Sequence, residues 1–153
     1  MLNPVLNKGG WGLSLTRADS VETLQPILRA HYQLLNAYEF ARQQAGNGFP
    51  DRVESALRTF RTDIGKISET ILSFGGAPYN GTDIEPGATG DTEATPAQRI
   101  EALDAAERDL NDSLEASMNV PQQIRTLATL KLLRNHSNDR LAILREAART
   151  VRA

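Results

Sequence analysis

One glutamate stands within a regular apolar helical pattern, and its side chain is the one most able to carry chemistry. The pattern advances in steps of three and four residues through Ile100, Leu103, Glu107, Leu110 and Leu114. A buried carboxylate must be paired, hydrogen-bonded or protonated, because an isolated charge in an apolar interior is very costly. We therefore expect Glu107 to belong to a buried ion pair or hydrogen-bond network. The alternatives are a degenerate metal site and an exposed position.

The partners of Glu107 are left open by the sequence. Arg134 on a later helix, or His31 and Tyr38 on the first one, could lie at a similar height. The chain has two histidines. His31 falls in an apolar pattern, which favours a core histidine with its hydrogen bonds satisfied. His136 falls in the polar run 134–140, which indicates a solvated helix face.

Several classes of chemistry are disfavoured by what the chain lacks. It contains no cysteine, so disulfides, thiolate metal sites and cysteine nucleophiles are excluded. It also carries no phosphate-binding loop, nucleophile elbow, dinucleotide fingerprint or HExxH zinc motif. Residues 1–15 do not have the pattern of a secretory signal, and no apolar run approaches the length of a membrane span. We expect a cytoplasmic protein without a catalytic motif.

Helical patterns fill most of the chain and predict an all-α four-helix bundle. Residues 1–18 read as an irregular arm, and residues 19–153 as a single domain. The first helix should begin after Asp19, which stands three residues before Glu22 in capping spacing. The second should run from about Pro50 to a stop at Gly75-Gly76. It carries the cleanest heptad seam: Val53, Leu57, Phe60, Ile64, Ile67, Ile71 and Phe74.

The last two predicted helices are joined by a short link. Thr95, Pro96 and Gln98 predict the start of the third helix by N-cap, first-turn proline and N3 amide. This helix should end at Met118. The fourth should follow Pro121 and run almost to the end, with its apolar side formed by Ile124, Leu127, Leu130, Leu141, Leu144, Ala148 and Val151.

The connection between the second and third helices, residues 76–94, predicts the topology. Its roughly 19 residues can stretch about 60 Å, which exceeds the length of about 36 Å expected for a 24-residue helix. The connection can therefore cross the bundle lengthwise, so that the second and third helices run in the same direction. The alternative is an up-down-up-down bundle with a loose insertion.

Charge is distributed unevenly, although the net charge is only −2. Residues 75–120 carry ten acidic and two basic residues, whereas residues 121–153 carry seven basic and two acidic ones. If these segments form neighbouring antiparallel helices, their charges face one another and largely cancel. The alternative is a basic stripe of Arg145, Arg149 and Arg152 for an acidic partner or nucleic acid.

The chain resembles the ferritin-like four-helix-bundle proteins, and more closely a bacterial branch of unassigned function. The resemblance covers about residues 20–152. It rests on the two-hairpin layout, on the Phe74-Gly75-Gly76-Ala77-Pro78 stop and on the stretch Asn138-Asp139-Arg140-Leu141.

Active di-iron members of that group carry a glutamate on each of two helices and a Glu-x-x-His pair on each of the others. The resemblance implies an incomplete metal site here, with Glu39, Asp63, Glu107 and His136 as the candidate ligands. His136 and Asp139 have the pair's spacing in reversed order. We expect no cofactor, with iron or manganese as the alternative.

Two functions follow as hypotheses. The first is a non-enzymatic structural, stress-related or interaction module that forms a homo-oligomer, a dimer or larger. The second is a metal-binding ferritin-like protein with the incomplete site. We expect neither a membrane nor a nucleic-acid partner, because the whole molecule is slightly acidic.

Overall fold

Four α-helices make up the described part of the chain. A computed structural model describes residues 15–45, 51–85 and 92–152, and its helices are α1 (Arg17–Ala45), α2 (Asp51–Ser73), α3 (Pro96–Met118) and α4 (Ile124–Arg152). The described residues form no strand. The predicted all-α four-helix bundle is thus confirmed. Among these residues, no helix has both the length and the apolar character that crossing a bilayer requires.

The first helix begins two residues earlier than its predicted cap. The Asp19 amide donates to Thr16 Oγ1 at 3.1 Å, and the Thr16 amide donates to Asp19 Oδ2 at 3.2 Å. Thr16 is therefore the capping residue and Asp19 is the third residue of α1. The prediction that Asp19 caps the helix with Glu22 was wrong, because the Thr16 hydroxyl caps the helix three residues earlier and the Asp19 carboxylate accepts in return from the Thr16 amide.

The predicted ends of α2 and α3 are confirmed. Thr95 and Gln98 form the reciprocal capping box, with Pro96 in the first turn of α3. At the end of α2, Gly75 has φ 85°. The Gly75 amide donates to the Leu72 carbonyl at 2.9 Å, and the amide of Gly76 donates to the carbonyl of Ile71 at 3.0 Å. This is a Schellman motif, which needs a left-handed residue and therefore favours glycine.

The connection after α2 runs along α1. Near the start of α1, Gln25 donates to the Ala77 carbonyl at 2.7 Å. Further along, Asn36 donates to the Glu85 carbonyl at 3.2 Å. Eleven residues of helix separate these contacts, which is a rise of about 16 Å. The connection therefore crosses the bundle lengthwise, as predicted, up to residue 85; residues 86–91 lie outside the described part.

Contacts at two heights fix the helix directions. Asp63 of α2 meets Arg140 of α4, whereas Thr70, later in α2, meets Thr129, earlier in α4. These two helices are antiparallel. Likewise Glu107 meets Arg140, while Glu115 of α3 meets Arg134. Because α2 and α3 both run opposite to α4, they run parallel to each other, and the up-down-up-down alternative does not apply.

The core lies along the predicted seams. In α2 the buried apolar residues are Val53, Ala56, Leu57, Phe60, Ile67 and Ile71. Burial of one such large side chain contributes about 1.5–3 kcal/mol. One predicted core position was wrong: Ile124, the first residue of α4, is 89% exposed. The first turn of the helix has apolar spacing, but none of the described residues buries this side chain.

The uneven charges meet at the α3–α4 interface. A groove of about 280 Å³ is lined by Glu101, Asp104 and Arg108 of α3 and by Arg145 and Arg149 of α4. Acidic residues of α3 and basic residues of α4 therefore line one groove. This agrees with the hypothesis that the charges of the two segments face one another. The side chain of the third arginine in the predicted stripe, at position 152, lies outside the described part.

The predicted N-terminal arm falls mostly outside the described residues. Its position 15 is anchored, because the Leu15 amide donates to the Pro121 carbonyl at 3.0 Å. Arg17 and Ala18, assigned to the arm, belong to α1. The chain therefore enters the bundle beside the start of α4.

A matched pair of glycine substitutions tests the packing of the crossover. Gly75 and Gly81 have φ 85° and 74°, and a Cβ would meet nothing within 4 Å at Gly75 but Tyr32 Cδ1 at 2.6 Å at Gly81. Gly75→Ala should lower the free energy of unfolding by about 1–2 kcal/mol through its left-handed backbone. Gly81→Ala should cost about 1–3 kcal/mol more through overpacking against the tyrosine ring. Urea unfolding measures both, and equal losses would contradict the described contact.

Candidate functional site

An arginine lies at the centre of the bundle. Arg140 of α4 is only 1% exposed. Its Nε donates to Glu107 Oε1 at 2.8 Å, and its Nη2 donates to Glu107 Oε2 at 3.0 Å. This is the bidentate geometry that suits the planar guanidinium and fixes its orientation. The buried carboxylate of α3 is therefore paired with a permanent cation.

Two further donors complete the surroundings of Glu107. The Tyr38 hydroxyl of α1 donates to Oε1 at 2.9 Å, and the Ser137 hydroxyl of α4 donates to Oε2 at 2.8 Å. An ionised carboxylate has about four lone-pair sites, and each oxygen of Glu107 accepts two hydrogen bonds. The carboxylate is saturated, so it has no capacity left to accept a proton from a substrate.

A second buried carboxylate lies on the other side of the guanidinium. Asp63 of α2 is fully buried, and its Oδ2 accepts from Arg140 Nη1 at 3.1 Å. Its Oδ1 lies 2.5 Å from Nδ1 of His136. Burial raises the pKa of Asp63, while the hydrogen bond from His136 and the charge of Arg140 act against that shift. His136 is 24% exposed in its side chain, so it connects this buried carboxylate with the surface.

Electrostatics keep the central groups in fixed protonation states. Burial alone would lower the pKa of Arg140, but the hydrogen bonds and the charge of Glu107 outweigh it and raise that pKa. Burial, together with the charge of Glu107, also raises the pKa of Tyr38, which therefore stays a neutral donor. The Phe60 ring centre lies 3.9 Å from the Arg140 Cζ, and this cation–π contact covers one face of the guanidinium.

His31 of α1 is the member of the site with a free lone pair. Its Nδ1 lies 2.8 Å from the Ile27 carbonyl, which can only accept, so Nδ1 carries the proton. The Nε2 atom is buried without a hydrogen-bond partner and lies 3.9 Å from Asp63 Oδ2. Burial, with smaller effects from the charges of Arg140 and His136, lowers the pKa of His31 to about 3. The imidazole is therefore neutral, and its contact with Asp63 is not an ion pair.

The structure brings together three of the four residues proposed from the sequence as metal ligands. Asp63 and Glu107 contact the central guanidinium, and His136 contacts Asp63. Glu39 lies apart from them, because its side chain is 34% exposed and pairs with Arg61 at 3.0 Å. Glu39 follows Tyr38 directly, and one residue turns a helix by about 100°. Since Tyr38 points to the centre, Glu39 points away from it.

Of the partners that the sequence offered for Glu107, Tyr38 is confirmed, whereas Arg134 was wrong. Arg134 pairs with Glu115 at 3.4 Å near the surface, and the central cation is Arg140. A signal was present, since Arg140 lies on a seam with steps of three and four residues. The buried members of that seam are Leu130, Leu133, Ser137, Arg140, Leu144 and Ala147. This seam was not recognised from the sequence, because Ser137 and Arg140 occupy two successive seam positions and polar residues there are typical of a solvated helix face.

The residues as arranged do not fit a di-iron or di-manganese centre. The guanidinium of Arg140 lies between Glu107 and Asp63, where a shared cation would have to bind. In the part of the chain that the structure describes, no group of three or more histidine, aspartate or glutamate side chains is placed to hold one metal ion. What the arrangement does is neutralise buried carboxylates and join side chains from four helices.

A comparison with models of protein families finds no match, and neither does one with curated proteins. The ferritin-like resemblance therefore stays a prediction.

Replacing the central cation should destabilise the bundle strongly. Arg140→Met removes the guanidinium and leaves Glu107 and Asp63 buried without it, and breaking a buried pair in this way costs about 3–5 kcal/mol. The matched control is Arg134→Met, which removes a more exposed arginine that also pairs with a glutamate of α3, and should cost about 0–1 kcal/mol. Chemical unfolding of both variants measures the difference. Similar losses in the free energy of unfolding would show that the central ion pair stabilises the bundle no more than the surface pair does.

Acid sensitivity should depend on His31. Its pKa in the folded protein, about 3, lies below the ordinary 6.5, so the unfolded chain binds more protons between these values. Its contribution to stability is present above pH 6.5 and falls by about 1.4 kcal/mol per pH unit as the pH drops below that value. The raised pKa of Asp63 acts in the opposite direction.

The variant His31→Asn isolates this effect, because its amide can still donate to Ile27 but does not titrate. Asp63 is present in both proteins. The unfolding free energy of the variant should therefore decline less steeply from pH 6.5 downward than that of the unaltered protein. Parallel stability profiles would contradict a neutral, buried His31.

Proposed function

We propose that the protein is a non-enzymatic, ferritin-like bundle that acts as a structural or interaction module and associates with itself. The observation that carries this proposal is the closure of the polar centre. Glu107, Asp63 and Arg140 are at most 1% exposed, and their side chains are hydrogen-bonded to one another and to neighbouring protein side chains. Groups arranged in this way hold helices together, and a substrate would have to break the network to reach them.

Connectivity supports the ferritin-like part of the proposal. Two antiparallel hairpins, α1–α2 and α3–α4, are joined by a connection that runs lengthwise along α1. One long crossover between two hairpins is the arrangement of ferritin-like folds. A role in a stress response rests on the resemblance alone.

Three exposed apolar side chains at one end of the bundle support self-association. Among the described residues, the large hydrophobic side chains that are exposed are Leu72, Val120 and Ile124, at 61%, 42% and 89%. Because α2 and α4 are antiparallel, the end of α2 and the start of α4 lie at the same end of the bundle, beside the α3–α4 link. A second copy is the occupant we propose, because a two-fold contact lets one patch bind its own equivalent.

Light scattering coupled to size-exclusion chromatography tests the association. The unaltered protein should show a mass above that of the monomer that falls on dilution, and Ile124→Asp should shift it to monomer. The control Asn135→Asp adds the same charge at an exposed position of the same helix and should leave the mass unchanged. A monomeric mass at every concentration, or equal effects of both variants, would contradict self-association through this end.

The alternative function is metal binding at the incomplete site, and it is favoured by the proximity of three of the predicted ligands, Asp63, Glu107 and His136, in the bundle centre. Metal analysis of protein produced with added iron, manganese or zinc distinguishes it. Less than about a tenth of an equivalent, with no thermal shift on adding metal, counts against this alternative. Close to one equivalent would replace our proposal with it.

A further inference from the structure

We propose that Asn80 is a site of spontaneous covalent modification, at which the side-chain amide is lost through a cyclic imide formed with the main chain. Asn80 lies in the crossover between α2 and α3 and is exposed to solvent. The next residue is Gly81, which has no Cβ to hinder the approach to its amide nitrogen. The inference goes beyond the proposed function, because it concerns the covalent chemistry of the crossover.

The reaction needs no reagent besides water. The amide nitrogen of Gly81 loses its proton to solvent and attacks Cγ of Asn80, and the new carbon–nitrogen bond closes a five-membered ring. The side-chain nitrogen takes up a proton and leaves as ammonia. Water then opens the imide at one of its two carbonyl groups. The product is either aspartate or isoaspartate, in which the main chain runs through the former side chain.

An Asx turn holds the side chain of Asn80 in the geometry that this attack requires. Its Oδ1 accepts from the amide of Thr82, two residues later, at 3.1 Å. Such a turn folds the side chain back over the following peptide and brings Cγ towards the nitrogen of Gly81. Because the reacting groups are already oriented, the attack avoids much of the entropy cost of bringing them together.

Two hydrogen-bond donors lie where negative charge develops during the attack. When nitrogen adds to Cγ, the carbonyl oxygen Oδ1 of Asn80 becomes an oxyanion. This oxygen accepts from the Thr82 amide at 3.1 Å and from the Thr82 hydroxyl at 2.9 Å. Donors fixed at such distances stabilise the tetrahedral intermediates of acyl transfer. Thr82 therefore supplies the donors of an oxyanion hole for its own neighbour.

The attacking nitrogen is unpaired, although the turn around it is held in place. Among the described residues, the Gly81 amide donates to no acceptor, whereas the Gly81 carbonyl accepts from the Ile84 amide at 3.2 Å. The ring of Tyr32 packs so closely that a Cβ at Gly81 would meet its Cδ1 at 2.6 Å. These contacts fix the turn and leave its nucleophile available.

Peptide mapping of the protein after storage in mildly alkaline buffer tests the inference. Trypsin cleavage after Lys66 and Arg99 gives a peptide in which Asn80 is the only asparagine, separate from the other Asn-Gly pair, Asn47-Gly48. Mass spectrometry measures the conversion of amide to acid, and an isoaspartate-specific methyltransferase detects the rearranged product. The folded protein should convert Asn80 at least as fast as the chain unfolded in urea, because the turn preorganises the reaction. Slower conversion in the folded protein overturns the proposal.

Two variants separate the contribution of Thr82 from the chemistry of the Asn-Gly pair. Thr82→Ala removes the hydroxyl donor and keeps the amide donor. Conversion at Asn80 should fall about two- to tenfold in the folded protein, which corresponds to one hydrogen bond, and stay unchanged in urea. Equal rates in the folded variant and the unaltered protein overturn the role of Thr82.

The matched control is Asn80→Gln, which keeps the amide but would have to close a six-membered ring. This variant should show no conversion in the same peptide, and an acid formed there would overturn the assignment to Asn80. Circular dichroism checks that both variants keep the helix content of the unaltered protein. The conversion rates and the self-association experiment are independent, so either proposal can fail without the other.

Discussion

The ion pair between Arg140 and Glu107 is the constraint on which the rest of the bundle depends. Taking two charges out of water is costly, and their attraction compensates only when the remaining hydrogen bonds are also made. Those bonds come from Tyr38 on α1, Asp63 on α2 and Ser137 on α4. A slip of one helix by a single turn, about 5.4 Å, would leave a buried charge without a partner. The network therefore selects one register among the many that apolar seams alone would accept.

The crossover and the central network determine different features of the helix arrangement. The crossover lies against α1 through Gln25 and Asn36, and it sets the direction in which α3 enters the bundle. The central network then sets the height and rotation at which α3 and α4 meet their neighbours. Direction is thus decided by chain length and loop contacts, while register is decided by buried charge. The self-association that we propose uses the end of the bundle where Leu72, Val120 and Ile124 are exposed.

The two histidines illustrate how one residue type acquires two roles. His31 is enclosed by the core, stays neutral and keeps a lone pair without a partner. His136 reaches the surface and forms a short contact with Asp63. A single aspartate lies between them, so its environment combines a neutral ring, a partly solvated ring and a guanidinium. The same residue type thus serves once as an enclosed neutral side chain and once as a link between a buried carboxylate and the surface.

The sequence by itself determined the helical class, the start of α3 at Thr95, the glycine end of α2 and the need of Glu107 for a partner, because these follow from periodicity, local hydrogen bonding and desolvation. Only the tertiary structure decided which partner Glu107 has and that Glu39 lies outside the site. Arg134 and Arg140 are equally good cations as residues. Which of them enters the core depends on how α4 is rotated against α2 and α3, and that rotation results from packing all four helices at once.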